Sequence, residues 1–142
     1  MIRYNTFLIN NFINEIIQKD RLIMIGIDVT SVNRIQKMYE KFGRRAYERF
    51  LDDEEIALIK RTETAAGFWA AKEAASKAIG TGIGKECSFH DIKIKKDKKG
   101  APKIKYKKHI RKKFNIEKSY LSITHDRGFA IAVVHNTLKI NI

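Results

Sequence analysis

Between Glu63 and Ile79 the chain reads ETAAGFWAAKEAASKAI, with seven alanines and no proline. Alanine has the highest intrinsic helix propensity, so this segment predicts the dominant helix. Its small side chains let neighbouring backbone or a ligand approach closely. Phe68 and Trp69 read as packing residues. Glu73 and Lys77 lie four residues apart and share a helix face. Taken alone, they would form an exposed ion pair contributing about 0.3–0.5 kcal/mol. Gly80-Thr81-Gly82-Ile83-Gly84 follows directly. Three glycines in five residues stop a helix and permit close ligand approach. The spacing and the position after the helix fit neither a Walker A loop nor a dinucleotide fingerprint.

The other elements are shorter. Leu22 to Val29 (LIMIGIDV) is an apolar, β-branched run that predicts a buried strand. An aspartate there, Asp28, is costly unless paired, hydrogen-bonded or coordinated. Its position leaves two readings open: a turn or capping residue, or a metal-binding or catalytic carboxylate. Val32, Ile35, Met38 and Tyr39 then recur at helical spacing. Thr30 or Ser31 is the candidate N-cap of that helix and Gly43 its stop. Arg34, Lys41, Arg44 and Arg45 place positive charge on or beside it. Asp52-Asp53-Glu54-Glu55 reads as a capping box that starts another short helix. Phe89 to Lys95 and Pro102 to Tyr106 flank a turn at Asp97–Gly100, which predicts a hairpin. Lys107 to Phe114 reads as a short basic helix. Tyr120 to Thr124 and Phe129 to His135 read as two strands around Asp126-Arg127-Gly128. The sum is one α+β domain.

Composition removes several classes. The single cysteine, Cys87, excludes an internal disulfide framework and a CxxC zinc site. No stretch approaches the roughly 20 apolar residues that span a bilayer, so membrane insertion is not expected. Residues 1–20 carry weak helical spacing (Phe7, Leu8, Phe12, Ile13, Ile16, Ile17) but make no convincing signal peptide, because the basic start is slight, asparagines interrupt the apolar run and no small-residue cleavage site follows. Residues 1–23 are therefore read as an extension, residues 24–142 as the domain, and the location as cytoplasmic. The net charge is +13, which calls for acidic partners. Twelve of the basic residues fall between Lys93 and Lys113, where only Asp97 opposes them. A solvated surface is the plain reading of that block. A nucleic-acid-binding module is the alternative, but interleaved aromatics are few there.

Four segments in order carry a resemblance: Gly26-Ile27-Asp28-Val29 with Arg34-Ile35; Trp69-Ala70-Ala71-Lys72-Glu73-Ala74-Ala75-Ser76-Lys77-Ala78; Gly80 to Gly84; and Leu121-Ser122-Ile123-Thr124-His125. From about Met24 to Val134 the chain resembles the holo-[acyl-carrier-protein] synthases, the bacterial 4′-phosphopantetheinyl transferases of fatty-acid synthesis. The resemblance implies their fold, one long central helix on a mainly antiparallel sheet, in a homotrimer with coenzyme A bound between subunits. It implies transfer of 4′-phosphopantetheine from coenzyme A to a serine of apo-acyl carrier protein, releasing adenosine 3′,5′-bisphosphate, with Mg²⁺ as the metal. Asp28 and Glu73 match the family's metal-binding acids. Glu73, or a water oriented by either acid, is then the candidate base. Lys77 matches a phosphate contact. Gly80, Thr81, Gly82, Gly84 and His125 match coenzyme A contacts. Arg34, with Lys41, Arg44 and Arg45, would face the acidic carrier. The carrier supplies the serine, so no catalytic triad is needed in this chain.

Two positions depart from the family pattern. Phe68 stands where relatives commonly carry arginine, whose contact is lost or supplied elsewhere, with Lys72 or the lysine-rich block as substitutes. Ser31 stands where relatives commonly carry glutamate. Neither departure touches Asp28, Glu73 or Lys77.

Overall fold

The structure is a computed structural model that describes residues 6–20 and 23–139. Leu22, the first residue of the predicted strand, and residues 1–5 of the extension lie outside the described residues. The elements run α1 (Thr6–Asp20), β1 (Ile23–Ser31), α2 (Val32–Phe42), α3 (Arg44–Glu48), α4 (Asp53–Ile56), α5 (Thr62–Ala78), a 3₁₀ turn (Phe89–Asp91), β2 (Ile92–Lys96), β3 (Pro102–Tyr106), α6 (Lys108–Lys113), β4 (Ile116–Asp126) and β5 (Phe129–Leu138). β5 lies between β1 and β4 in an antiparallel three-stranded sheet, and β2 pairs with β3 in a separate antiparallel hairpin. This is the predicted α+β architecture.

The alanines of α5 decide how the layers meet. Ala65, Ala66, Ala70, Ala71, Ala74 and Ala75 are all fully buried. α5 packs on β1 and β5, whose inward residues Ala130, Ala132 and Val134 are also fully buried. The contact is close at Gly26. A Cβ built there would lie 1.9 Å from the Ala74 carbonyl oxygen. Glycine is thus required by approach, and it brings Asp28, two residues along β1, against the last turns of α5. Tyr106 ties the layers together. Its hydroxyl donates to the Ala75 carbonyl at 2.7 Å and accepts from Asn136 Nδ2 at 2.8 Å.

Several local expectations are met in detail. Ser31 caps α2, its side chain accepting from Arg34 N. Asp52 and Glu55 form the full capping box at α4. The 126–129 turn closes a tight hairpin with Arg127 and Gly128 both at positive φ.

Other expectations change. β1 reads as buried, yet Ile25, Ile27 and Val29 are 65%, 57% and 56% exposed, because side chains alternate and only one face meets α5. Phe89 belongs to the 3₁₀ turn and not to a strand. Asp91 accepts there from the Ser88 amide and hydroxyl, a local bond that competes with strand pairing. β4 starts at Ile116, four residues before the predicted Tyr120, because Glu117, Lys118 and Ser119 hide the apolar pattern. Such polar residues are tolerated on an edge strand. α3 is too short for periodicity to reveal.

Candidate active site

Asp28 stands on the α5-facing side of β1, with its side chain 14% exposed. Its Oδ1 accepts from Lys77 Nζ at 2.7 Å, and its Oδ2 accepts from Thr30 Oγ1 at 2.9 Å. Lys77 Nζ also donates to the Ile27 carbonyl at 3.3 Å. Lys77 therefore pairs with Asp28 across the sheet–helix contact, where the isolated spacing suggested Glu73. Asp28 is thereby a paired and hydrogen-bonded carboxylate and not a cap: α2 is capped by Ser31.

Glu73 lies one turn before Lys77 and is partly buried. Burial, and next the negative charge of Asp28, hold its carboxyl above the usual range, while Lys77 and Arg34 pull it back. The two acids thus feel each other's charge, and two cations flank them. Oxygen donors with mutual repulsion suit a hard divalent cation, which would relieve that repulsion. The described residues hold no group of three or more His, Cys, Asp and Glu able to ligate a metal. Two carboxylates leave most positions of such an ion for substrate phosphate and water, the usual arrangement for Mg²⁺-type sites.

Arg34 comes from the first turn of α2, and its guanidinium lies 5.0 Å from the Trp69 ring centroid. This cation–π contact holds the arginine where its charge reaches Glu73. Trp69 in turn packs on Phe50 and Phe89, with centroids 4.9 and 4.6 Å away. Lys41 and Arg45 are exposed on the neighbouring surface, together with Tyr39 and Phe42. Arg44 is already engaged by Glu48 at 3.2 Å and Asp53 at 2.9 Å.

The glycine loop adjoins Lys77 at the end of α5. Gly80 and Gly82 adopt φ of 79° and 64°, a left-handed region that favours glycine. The amides of Gly80, Thr81, Gly82 and Gly84 donate to Lys77, Ser76, Ser76 and Cys87 carbonyls. In this conformation those four amides are not phosphate donors, so the loop offers close approach without side chains. His125 lies elsewhere. Its Nε2 is 2.9 Å from the Glu63 carbonyl oxygen, near Gly67 at the start of α5. At 1.5 Å per residue, that is about 9–15 Å along the helix from Glu73. One chain therefore gathers Asp28, Glu73, Lys77 and Arg34 but not His125.

Two further positions bear on the departures from the family pattern. Phe68 is 2% exposed in the core. Lys72 is fully buried, donating to the Phe50 carbonyl at 2.7 Å and to Glu55 Oε1 at 2.9 Å. It points away from solvent and cannot replace a phosphate-binding arginine. Cys87 is buried with its thiol pushed up to about 11, which leaves it a poor nucleophile.

Sequence reading missed Gly26, Thr30, Glu55 and Trp69 as parts of this arrangement. Thr30 had a signal: strand period two puts it on the face of Asp28. Glu55 had none, since an acid at position three of a helix is explained by capping alone.

Residues 24–134 match the family model of the 4′-phosphopantetheinyl transferase superfamily, and the chain belongs to that superfamily. Within it, the likeness is to the holo-[acyl-carrier-protein] synthases. The synthase of Aliarcobacter butzleri is 78% identical over 116 residues, covering 82% of this chain and 98% of its own length. A Helicobacter pylori holo-[acyl-carrier-protein] synthase crystallised with coenzyme A superimposes with a TM-score of 0.78 at 50% identity, over 80% of this chain and all of its own. A Bacillus anthracis counterpart gives 0.69 at 41% identity, over 82% and 96%. These relatives support the transferase and not the nucleic-acid alternative. No helix among the described residues is long and apolar enough to cross a membrane.

Proposed function

We propose that this chain transfers the 4′-phosphopantetheine of coenzyme A to a serine of apo-acyl carrier protein, giving holo-acyl carrier protein and adenosine 3′,5′-bisphosphate. The observation that carries this is the convergence of Asp28, Glu73 and Lys77 at the β1–α5 contact, in a chain 78% identical to a holo-[acyl-carrier-protein] synthase.

Asp28 and Glu73 would hold Mg²⁺ together with the coenzyme A pyrophosphate. When bound, the ion withdraws electron density from the phosphoryl group and neutralises charge. Lys77, half-exposed at the end of α5, would contact the pyrophosphate and stabilise charge growing on the leaving phosphate. The carrier serine Oγ attacks the phosphorus bearing pantetheine, and the bond to the adenosine-side oxygen breaks. Glu73 accepts the serine proton directly or through a water. The Gly80–Gly84 loop gives the ligand room. Arg34, Lys41 and Arg45 would face the acidic carrier, and Arg44 less so because Glu48 and Asp53 already hold it.

The working form is a homotrimer. The outer face of the three-stranded sheet leaves Ile25, Ile27, Val29, Val133, Phe129 and Tyr120 exposed in a single chain. An apolar patch of this kind marks an interaction surface. A neighbouring subunit would also supply His125, which one chain keeps apart from its own acids. The catalytic unit is residues 24–142, with residues 1–23 as an extension, and the setting is the cytoplasm.

Incubation of the full chain with Mg²⁺, coenzyme A and apo-acyl carrier protein tests the reading. Intact-mass measurement should show the carrier gaining one phosphopantetheine group. An unchanged carrier mass across a panel of bacterial carriers would overturn it.

A further inference from the structure

The Lys77 ammonium occupies the oxygen that a metal would need. It sits 2.7 Å from Asp28 Oδ1 and 3.3 Å from the Ile27 carbonyl oxygen, while the other carboxylate oxygen is held by Thr30 at 2.9 Å. Both oxygens of Asp28 are thus engaged without any ligand. We infer that Lys77 is the resident counter-ion of the acid pair, so that a divalent cation binds well only when a pyrophosphate draws Lys77 off Asp28.

The physical basis is competition for one anionic oxygen. A divalent cation on Asp28 would stand beside the ammonium, and two cations sharing that oxygen repel. Lys77 is able to leave. Its side chain is 51% exposed, on a flexible stem at the last turn of α5, whereas the Asp28 side chain is 14% exposed and fixed in mid-strand. A diphosphate placed at the helix end offers the ammonium an alternative partner and frees Oδ1. Metal and coenzyme A then favour each other's binding, and this coupling is reciprocal. The ion pair also keeps the charge of the partly buried Asp28 compensated while the site is empty.

This inference rests on the proposed role of Asp28 in metal binding, and the test separates the two. Mn²⁺ is titrated into the full chain and free Mn²⁺ is read by electron paramagnetic resonance, first without coenzyme A and then with it. Without coenzyme A, Lys77→Met and Lys77→Gln should bind Mn²⁺ about tenfold more tightly than the wild type, while Lys77→Arg should stay weak. On adding coenzyme A, wild-type affinity should rise, and the rise should shrink in Lys77→Met by about the factor already gained. Equal or weaker Mn²⁺ binding by both neutral variants without coenzyme A would overturn the inference. If Asp28→Asn binds Mn²⁺ as the wild type does with coenzyme A present, the metal role of Asp28 fails, and the inference falls with it.

Discussion

Lys77 and Asp28 form a 2.7 Å ion pair that joins the last turn of α5 to the middle of β1. The pair crosses the β1–α5 contact made by Gly26 and Ala74, so the candidate site and this close backbone approach share one place.

That packing gives the first prediction. A Cβ at Gly26 would meet the Ala74 carbonyl oxygen at 1.9 Å and the Ala78 amide nitrogen at 2.7 Å, both backbone atoms that cannot move alone. Gly26→Ala should destabilise the protein by about 3 kcal/mol or more, the upper range for overpacking. Urea unfolding measures this. The residual folded fraction should show a defect in transfer as well, because β1 carries Asp28.

The buried pair of Lys72 and Glu55 gives the second. Lys72 is fully buried and Glu55 is 1% exposed. Glu55 Oε1 also accepts from the Asp52 amide, and its Oε2 from the Ile94 amide, each at 2.9 Å. Glu55→Ala leaves an unpaired ammonium inside and should cost about 3–5 kcal/mol. Adding Lys72→Met should recover part of that loss in chemical denaturation. The recovery stays incomplete because the Ile94 amide keeps no acceptor.

Glu73 gives a pH-dependent prediction. Burial and then Asp28 hold its carboxyl above the usual 4.5. The folded state therefore keeps this proton to higher pH than the unfolded state, and stability falls as pH rises through that window. Glu73→Gln should raise the metal-free melting temperature by about 2–4 °C at pH 7, and the gain should vanish below about pH 4. Scanning calorimetry with a chelator checks both ends.

Assembly gives the fourth. A charge placed on the open sheet face at Ile27 or Val133, 57% and 37% exposed in one chain, leaves a single subunit's core untouched. Ile27→Asp and Val133→Asp should break the proposed trimer into monomers, as read by light scattering. Transfer should fall about a hundredfold or more if His125 serves a neighbour's site, since a misplaced contact alone costs about that factor. Wild-type activity from a proven monomer would refute the shared site.

Much of this was legible in the residues, for reasons that differ by element. The α5 helix announced itself through alanine, the hairpins through their turn residues, and α2 through its cap and stop. Asp28 was conspicuous because a charge in an apolar run needs a partner. Its partner was not legible: Lys77 lies 49 positions away, and sequence spacing pointed it at Glu73. Glu55 was hidden because its capping role explained it fully, while its second function depends on Lys72 arriving from another helix. The exposure of β1's outer face was also invisible, since an apolar run does not say which of its two faces α5 covers. The dense Lys93–Lys113 block resolves into the β2–β3 hairpin and α6, where Lys93 pairs with Asp52 at 2.5 Å and Glu54 at 3.1 Å.

The central claim is that Asp28 and Glu73 together serve the transfer. The most direct measurement is the initial rate of carrier mass gain, with saturating Mg²⁺ and coenzyme A, for Asp28→Asn and Glu73→Gln beside the wild type. Both substitutions preserve shape and remove one charge. Each should slow transfer by about a hundredfold to a thousandfold, the scale of losing one electrostatic contact to the transition state. Near-wild-type rates from either variant would contradict the account.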